Sequence, residues 1–203
     1  MELLRLRKRL QVAVRGHKLL KDKLDGLMKE FMSLAAEYKK YRLIVDEELP
    51  RVMKFFVLAE VTSSRLITED ALENTRQELK IKRKIRRIMS VNVPRLEIEF
   101  GETTGGYSMV HTSVELDEAI TGLRAFLPKL LKMVELEETI RLLSDEIEKT
   151  RRRVNALEHS FIPRMQETIK YIKDKLDETE RSNTSRLMKI KSQREALEQL
   201  APS

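Results

Sequence analysis

The chain offers few side chains that could do chemistry. Its three histidines are His17, His111 and His159, far apart in sequence and without metal-ligand spacing. "GETTGGYS" (101–108) has the look of a phosphate-binding loop. It lacks the Gly-Lys-Ser/Thr ending and any helix start behind it, so it carries no nucleotide site. "NTS" (183–185) fits a glycosylation acceptor, yet no secretory leader precedes it. No nucleophile, base and orienting partner stand in a recognisable pattern. These residues predict no catalysis, no cofactor and no metal. Charge remains as the chemistry to explain. Arg5, Arg7, Lys8, Arg9, Arg15, Lys18, Lys21 and Lys23 crowd residues 5 to 23 against Asp22 alone. "LKIKRKIRRIMS" (79–90) is basic without an acid, and Arg151, Arg152 and Arg153 form a third basic cluster. Such blocks steer acidic partners, protein or nucleic acid.

The elements that position these charges read as helix for most of the length. Charged residues make up 36% and aromatics 5% of 203 residues. That composition suits long helices or a coiled coil better than a compact core. Steps of three and four from Leu3 pass through Leu6, Leu10, Ala13, His17, Leu20, Leu24, Leu27, Phe31, Leu34, Tyr38, Tyr41, Val45, Glu48, Val52 and Phe55. Such a heptad row drives a helix against a partner helix. His17 is a polar member of the row that fixes register. Pro50 lies within it and predicts a kink, since proline removes one helical bond and strains the turn before it. A second row runs Met133, Leu136, Ile140, Leu143, Ile147, Thr150, Val154, Leu157, Phe161. It slips by one residue and continues through Met165, Ile169, Ile172 and Leu176 to Ile190. Two successive steps of four unwind a supercoil locally, and Pro163 falls at that slip, where a bend is expected.

Between the rows lies a mixed region. Thr68, followed by acids, predicts an N-cap for a helix over 68–90, ended by Val93-Pro94. "RLEIEFGETTGGYSMVHT" (95–112) predicts a β-hairpin. Leu96, Ile98 and Phe100 share one face, the glycines make the turn, and Tyr107 to Thr112 return with Tyr107 and Met109. "TSVE" (112–115) predicts a capping box for a following short helix. The expected fold is therefore dominated by α-helix. It is a long antiparallel two-helix left-handed coiled coil with a mid-chain helical region and one small β-hairpin. The expected division is 1–60 for the first long helix, 61–132 for the middle region and 133–203 for the second long helix. Two isolated strands are marginal in water, so the hairpin's apolar face must lie on a helix or on another protein. Candidate partner-binding residues are Leu96, Ile98, Phe100, Tyr107 and Met109 on the hairpin, Arg151, Arg152 and Arg153 on the second helix, and Arg5 and Arg9 near the N-terminus. Cysteine is absent, which excludes disulfides and thiolate metal sites. No stretch reaches the roughly 20 apolar residues of a membrane span.

Segment by segment, the chain resembles a known family. "RRRVNALEHSFIPRMQETIKYIKDKLDETERSNTSRLMKIK" (151–191) closely resembles the C-terminal helix of the D subunit of V-type and archaeal-type rotary ATPases. "RGHKLLKDKLDGLMKEF" (15–31) resembles the matching N-terminal helix. "IMSVNVPRLE" (88–97) and "LDEAITGLRAFLPKLLKM" (116–133) also fit, in the same order. The resemblance implies a non-catalytic central rotor stalk, peripheral to the cytoplasmic face of a membrane. It implies placement inside a ring of three A and three B subunits, with the F subunit at its side. A foot on the C subunit, called d in eukaryotes, completes the set. Neither nucleic acid nor direct membrane insertion is implied. The chain is shorter at its C-terminus than eukaryotic relatives, which points to a bacterial or archaeal complex. The alternative from composition alone is a free-standing coiled-coil scaffold or a basic nucleic-acid binder.

Overall fold

In the computed structural model, residues 2–74, 76–104, 106 and 112–200 are described. The elements are α1 (Glu2–Ser63), α2 (Arg65–Asn74), β1 (Arg76–Ile88), β2 (Val91–Thr104), α3 (Val114–Ala156) and α4 (Ile162–Leu200). A π-helical turn, Leu157–Phe161, joins α3 to α4. The chain divides into two compact units, residues 23–149 and the pair of segments 1–22 and 150–203.

In the unit of residues 23–149, α1 packs antiparallel on α3. Lys23 donates to Glu146 at 2.8 Å, and Lys129 donates to Glu48 at 2.8 Å. Partners thus fall in number on α3 as they rise on α1. Val45 and Val52 of α1 close a buried cluster with Phe126 and Met133 of α3, flanked by Tyr38, Tyr41 and Leu130. Full burial of such side chains is worth about 1.5–3 kcal/mol each. Leu27, Leu136 and Leu143 are also buried, all on the expected heptad rows. Pro50 stands inside α1, and Gly122 and Pro128 inside α3, without ending either helix. The second long helix accordingly begins at Val114 and absorbs the expected short helix.

The middle region differs from its sequence reading. Residues 68–90 are not one helix. Helix α1 stops at Ser64, whose φ of 77° takes the left-handed turn that ends helices. Thr68 lies inside α2, not at its cap. It is buried, its hydroxyl donates to the Ser64 carbonyl at 3.1 Å, and Ala71 beside it packs with Ala59 and Leu116. After Asn74 the chain becomes strand. The hairpin spans 76–104 rather than 95–112, with β1 antiparallel to β2 from Arg76↔Thr104 to Ile88↔Val91. Its turn is Met89-Ser90, not the glycine cluster. Both turn residues have positive φ, 42° and 82°, as two-residue primed hairpin turns require. Ile81, Ile85 and Ile88 fit a helical stripe, but Leu79, Ile81 and Ile85 equally alternate along a strand, and β-branched residues favour the pleated surface. Cross-strand pairing decided between the two readings. Lys82 reaches Glu99 and Lys84 reaches Glu97, both at 2.6 Å. Each of these basic residues of the supposed helix thus meets an acid of β2. The expected return strand, including Tyr107 and Met109, falls in 107–111, outside the described residues.

In the other unit, α1 residues again run antiparallel to the later helix. Ala13, Val154 and Met165 are buried, and Thr150 is fully so. The His17 ring nitrogen meets Glu158 at 3.2 Å. His17 does occupy the seam as a polar member, and it has a specific partner there. The heptad slip is realised as the π-turn. Proline in a helix clashes with the carbonyl four residues back. For Pro163 that residue is His159, inside the turn, where the N–H of Ile162 bonds Leu157 one residue further back than in an α-helix. Past Ile172, α4 is largely exposed, Leu176, Leu187 and Ile190 included.

Candidate partner-binding surfaces

The hairpin is laid along α1 and α3 by three contacts. The N–H of Leu96 donates to Glu135 on α3 at 2.9 Å, and Lys132 holds the other oxygen of that carboxylate at 2.7 Å. Arg124 of α3 stands over the Phe100 ring, 5.7 Å from its centroid. At the turn, Met89 lies on α1. A Cβ at Gly26 would stand 2.5 Å from the Met89 methyl, so the glycine admits the thioether. Val93 and Pro94 are buried below.

This docking reassigns the expected interface. Leu96 and Ile98 are half-buried, turned to their own chain, and Phe100 is 37% exposed under Arg124. The free apolar side chains lie on the other strand. In the register, Leu79 pairs with Phe100, Ile81 with Ile98, and Ile85 with Pro94, which places all six on one face. The β1 half of that face is open, with Ile81 54% and Ile85 71% exposed, and with Arg83 and Arg87 at the alternating positions between and beyond them. Sequence reasoning missed these isoleucines as a docking face because it placed them on a helix. Their period-two spacing was the signal available. On the opposite face, the Lys84 ammonium holds the Glu97 carboxyl below its ordinary value, against partial desolvation. On α3, Arg141 does the same for Glu138.

In the unit of residues 1–22 and 150–203, the expected basic residues separate. Arg151, Arg152 and Arg153 are exposed on α3. Arg5 and Arg9 instead come together with Lys8 at the rim of a groove of about 500 Å³, floored by Val12, Ala13, Leu157 and Phe161. Arg151, Arg152 and Arg153 do not line it. Arg5 is 3.8 Å from Glu2. Among the described residues, no three His, Cys, Asp or Glu side chains gather as a metal site, and no helix is long and apolar enough to cross a membrane.

Long helices packed antiparallel, a β-hairpin laid against them and apolar side chains left open define a predominantly helical protein with uncovered apolar surface. The sequence profile of the ATP synthase D subunit matches residues 2–192. The V-type ATP synthase D subunit of Fusobacterium nucleatum is 48% identical over 194 residues, covering 94% of this chain and 92% of the relative. Those of Clostridium novyi and Thermoanaerobacter sp. (strain X514) are 46% and 49% identical over 197 and 193 residues, with 91% and 92% of the relatives covered. The chain belongs to the ATP synthase D-subunit family.

Proposed function

We infer that this chain, as the central stalk of a V-type ATPase, transmits torque between ATP turnover in a ring of A and B subunits and ion transport at the membrane. The observation that carries this reading is the near full-length match to the D-subunit family, joined to a fold of long antiparallel helices. The chain itself is non-catalytic, and ATP is made or hydrolysed at A–B interfaces around it. The F subunit binds at its side, and its foot rests on the C (or d) subunit at the cytoplasmic face of the membrane. A helix pair fits this task physically. Side chains interlocked along a seam resist twisting better than one helix does. A single asymmetric shaft in a threefold ring touches each A–B pair differently, so turning it biases which pair is open. The test is rotation. With the ring fixed to a surface and a bead on this chain, ATP should drive stepwise turning. A reassembled head that hydrolyses ATP while the bead stays still would overturn the reading.

The hairpin is the lateral docking element. Its open face, Ile81 and Ile85, contacts the F subunit or the lower rim of the ring and modulates the hydrolysis rate. Replacing both with serine should lower affinity for the F subunit or change the rate by about fivefold, the scale of losing an interface side chain. Both side chains are exposed, so the helices should persist in circular dichroism. Unchanged affinity and unchanged rate would reject the role.

A further inference from the structure

Within the unit of residues 23–149, the hairpin, α1 and α3 bound a polar cavity of about 160 Å³. That is room for several waters or for one tetrahedral oxyanion. Each element contributes charge to it. Arg86 comes from β1, Arg95 from β2, Glu37 from α1, and Lys132 and Glu135 from α3. Some of these charges are already paired. Lys132 and the Leu96 N–H hold the Glu135 carboxylate between them, at 2.7 and 2.9 Å. Arg95 has a longer contact to Glu97, at 3.6 Å. Arg86 and Glu37 line the same space, yet neither has a hydrogen bond or ion pair among the described residues. A fork of donors and an acceptor-only carboxylate thus border one volume without meeting. Leu34, Val93 and Leu136 also wall it, and apolar walls strengthen the charges between them.

We propose that this cavity binds a small oxyanion that keeps one proton, of which hydrogen phosphate is the simplest. The guanidinium groups of Arg86 and Arg95 donate to its oxygens, in the geometry that suits arginine. The Glu37 carboxylate has no proton to give, so it repels a fully ionised oxyanion and accepts a hydrogen bond from a P–OH group. Glu37 therefore selects hydrogen phosphate over sulfate, which has the same size and charge but no proton. A phosphomonoester loses its last proton at about pH 6, so above that it is rejected as sulfate is. The bound anion links β1, β2 and α1 in one network and clamps the hairpin to the helices. This binding adds to the stalk reading and does not depend on it.

The test titrates the full wild-type chain by calorimetry at about pH 8, with inorganic phosphate, sulfate and methyl phosphate at matched ionic strength. Phosphate should bind at least about tenfold more tightly than the other two, the scale of one hydrogen bond to a charged group. It should also slow amide exchange at 91–96, since the ligand binds the folded hairpin. Glu37→Gln should bring the phosphate and sulfate affinities together, because an amide N–H donates to either anion. Arg86→Met should weaken phosphate binding about tenfold. Arg86 is exposed, so circular dichroism should not change. The proposal falls if wild-type chain binds no phosphate, or if sulfate or methyl phosphate binds it equally well. It falls also if Arg86→Met keeps full affinity. None of these outcomes touches the rotation experiment, so the stalk reading survives each of them.

Discussion

At the scale of single residues, the turn and the ion pairs of the hairpin make the sharpest predictions. Ser90 holds φ at 82°, a left-handed conformation that costs an L-residue roughly 1–2 kcal/mol. Ser90→Gly removes that steric penalty but adds freedom to the unfolded chain. A net gain of up to about 1 kcal/mol is expected, read as slower amide exchange at 88–91. Met89 should not be exchanged in the same way, because its side chain lies on Gly26. Gly26→Leu should unseat the turn and speed exchange there while α1 remains helical. Glu97 gives the pH dependence. Its folded-state value is lowered, chiefly by the hydrogen bond from Lys84. Its contribution is therefore complete above the ordinary glutamate value and is lost as pH falls through the lowered one. Glu138, lowered by Arg141, has the same sign. Strand amides should exchange faster as pH drops below the ordinary glutamate range, after correction for intrinsic exchange. Lys84→Met should move the Glu97 titration, followed by NMR, back up. Both carboxylates are partly exposed, so added salt should weaken the effect.

At the scale of elements, the π-turn is the informative break. The sequence shows two steps of four at Leu157, Phe161 and Met165, with Pro163 beside them, and the structure answers with one widened turn. Pro163→Ala removes the ring that clashes with the preceding turn. The substitution should let ordinary α bonding spread into 157–161 and raise stability by about 1–3 kcal/mol. A crystal structure and thermal melts check it. A π-turn that persists in Pro163→Ala would mean that the seam register, not the proline, maintains it. The hairpin shows the reverse relation between sequence and element. Its β2 strand was legible because Leu96, Ile98 and Phe100 alternate with charge. Its β1 strand was not, because Ile81, Ile85 and Ile88 satisfy a helical stripe while Leu79, Ile81 and Ile85 equally satisfy a strand. Its turn carries none of the Asn, Asp or Gly that usually announce a two-residue hairpin.

At the scale of the whole molecule, exposed apolar residues on α4 and β1 lack cover from this chain among the described residues. Leu176, Leu187, Ile190, Ile81 and Ile85 are all exposed. Ordering each residue costs roughly 1–2 kcal/mol in backbone entropy, and uncovered side chains offset little of it. Partners that cover them should therefore raise the thermal midpoint in a concentration-dependent way. Differential scanning calorimetry of the chain alone and with the F subunit measures this. No shift at saturating partner would count against docking on the folded chain.

The heptad rows and the charge blocks were set by residue order alone, because a helix repeats every ~3.6 residues and its buried face can be counted. Segment resemblance supplied the family in the same way. Tertiary structure decided the rest. Cross-strand acids made 76–88 a strand, since its basic side chains find Glu97 and Glu99 only when the two segments lie side by side. Docking on α3 covered the β2 half of one face, at Leu96 and Ile98, and left its β1 half, at Ile81 and Ile85, open, a choice that alternation cannot express. Packing in three dimensions also gathered Arg5, Lys8 and Arg9 around Leu157 and Phe161, about 150 positions away in the chain. Periodicity records which residues share a face of one element; which face meets which partner depends on contacts between distant segments.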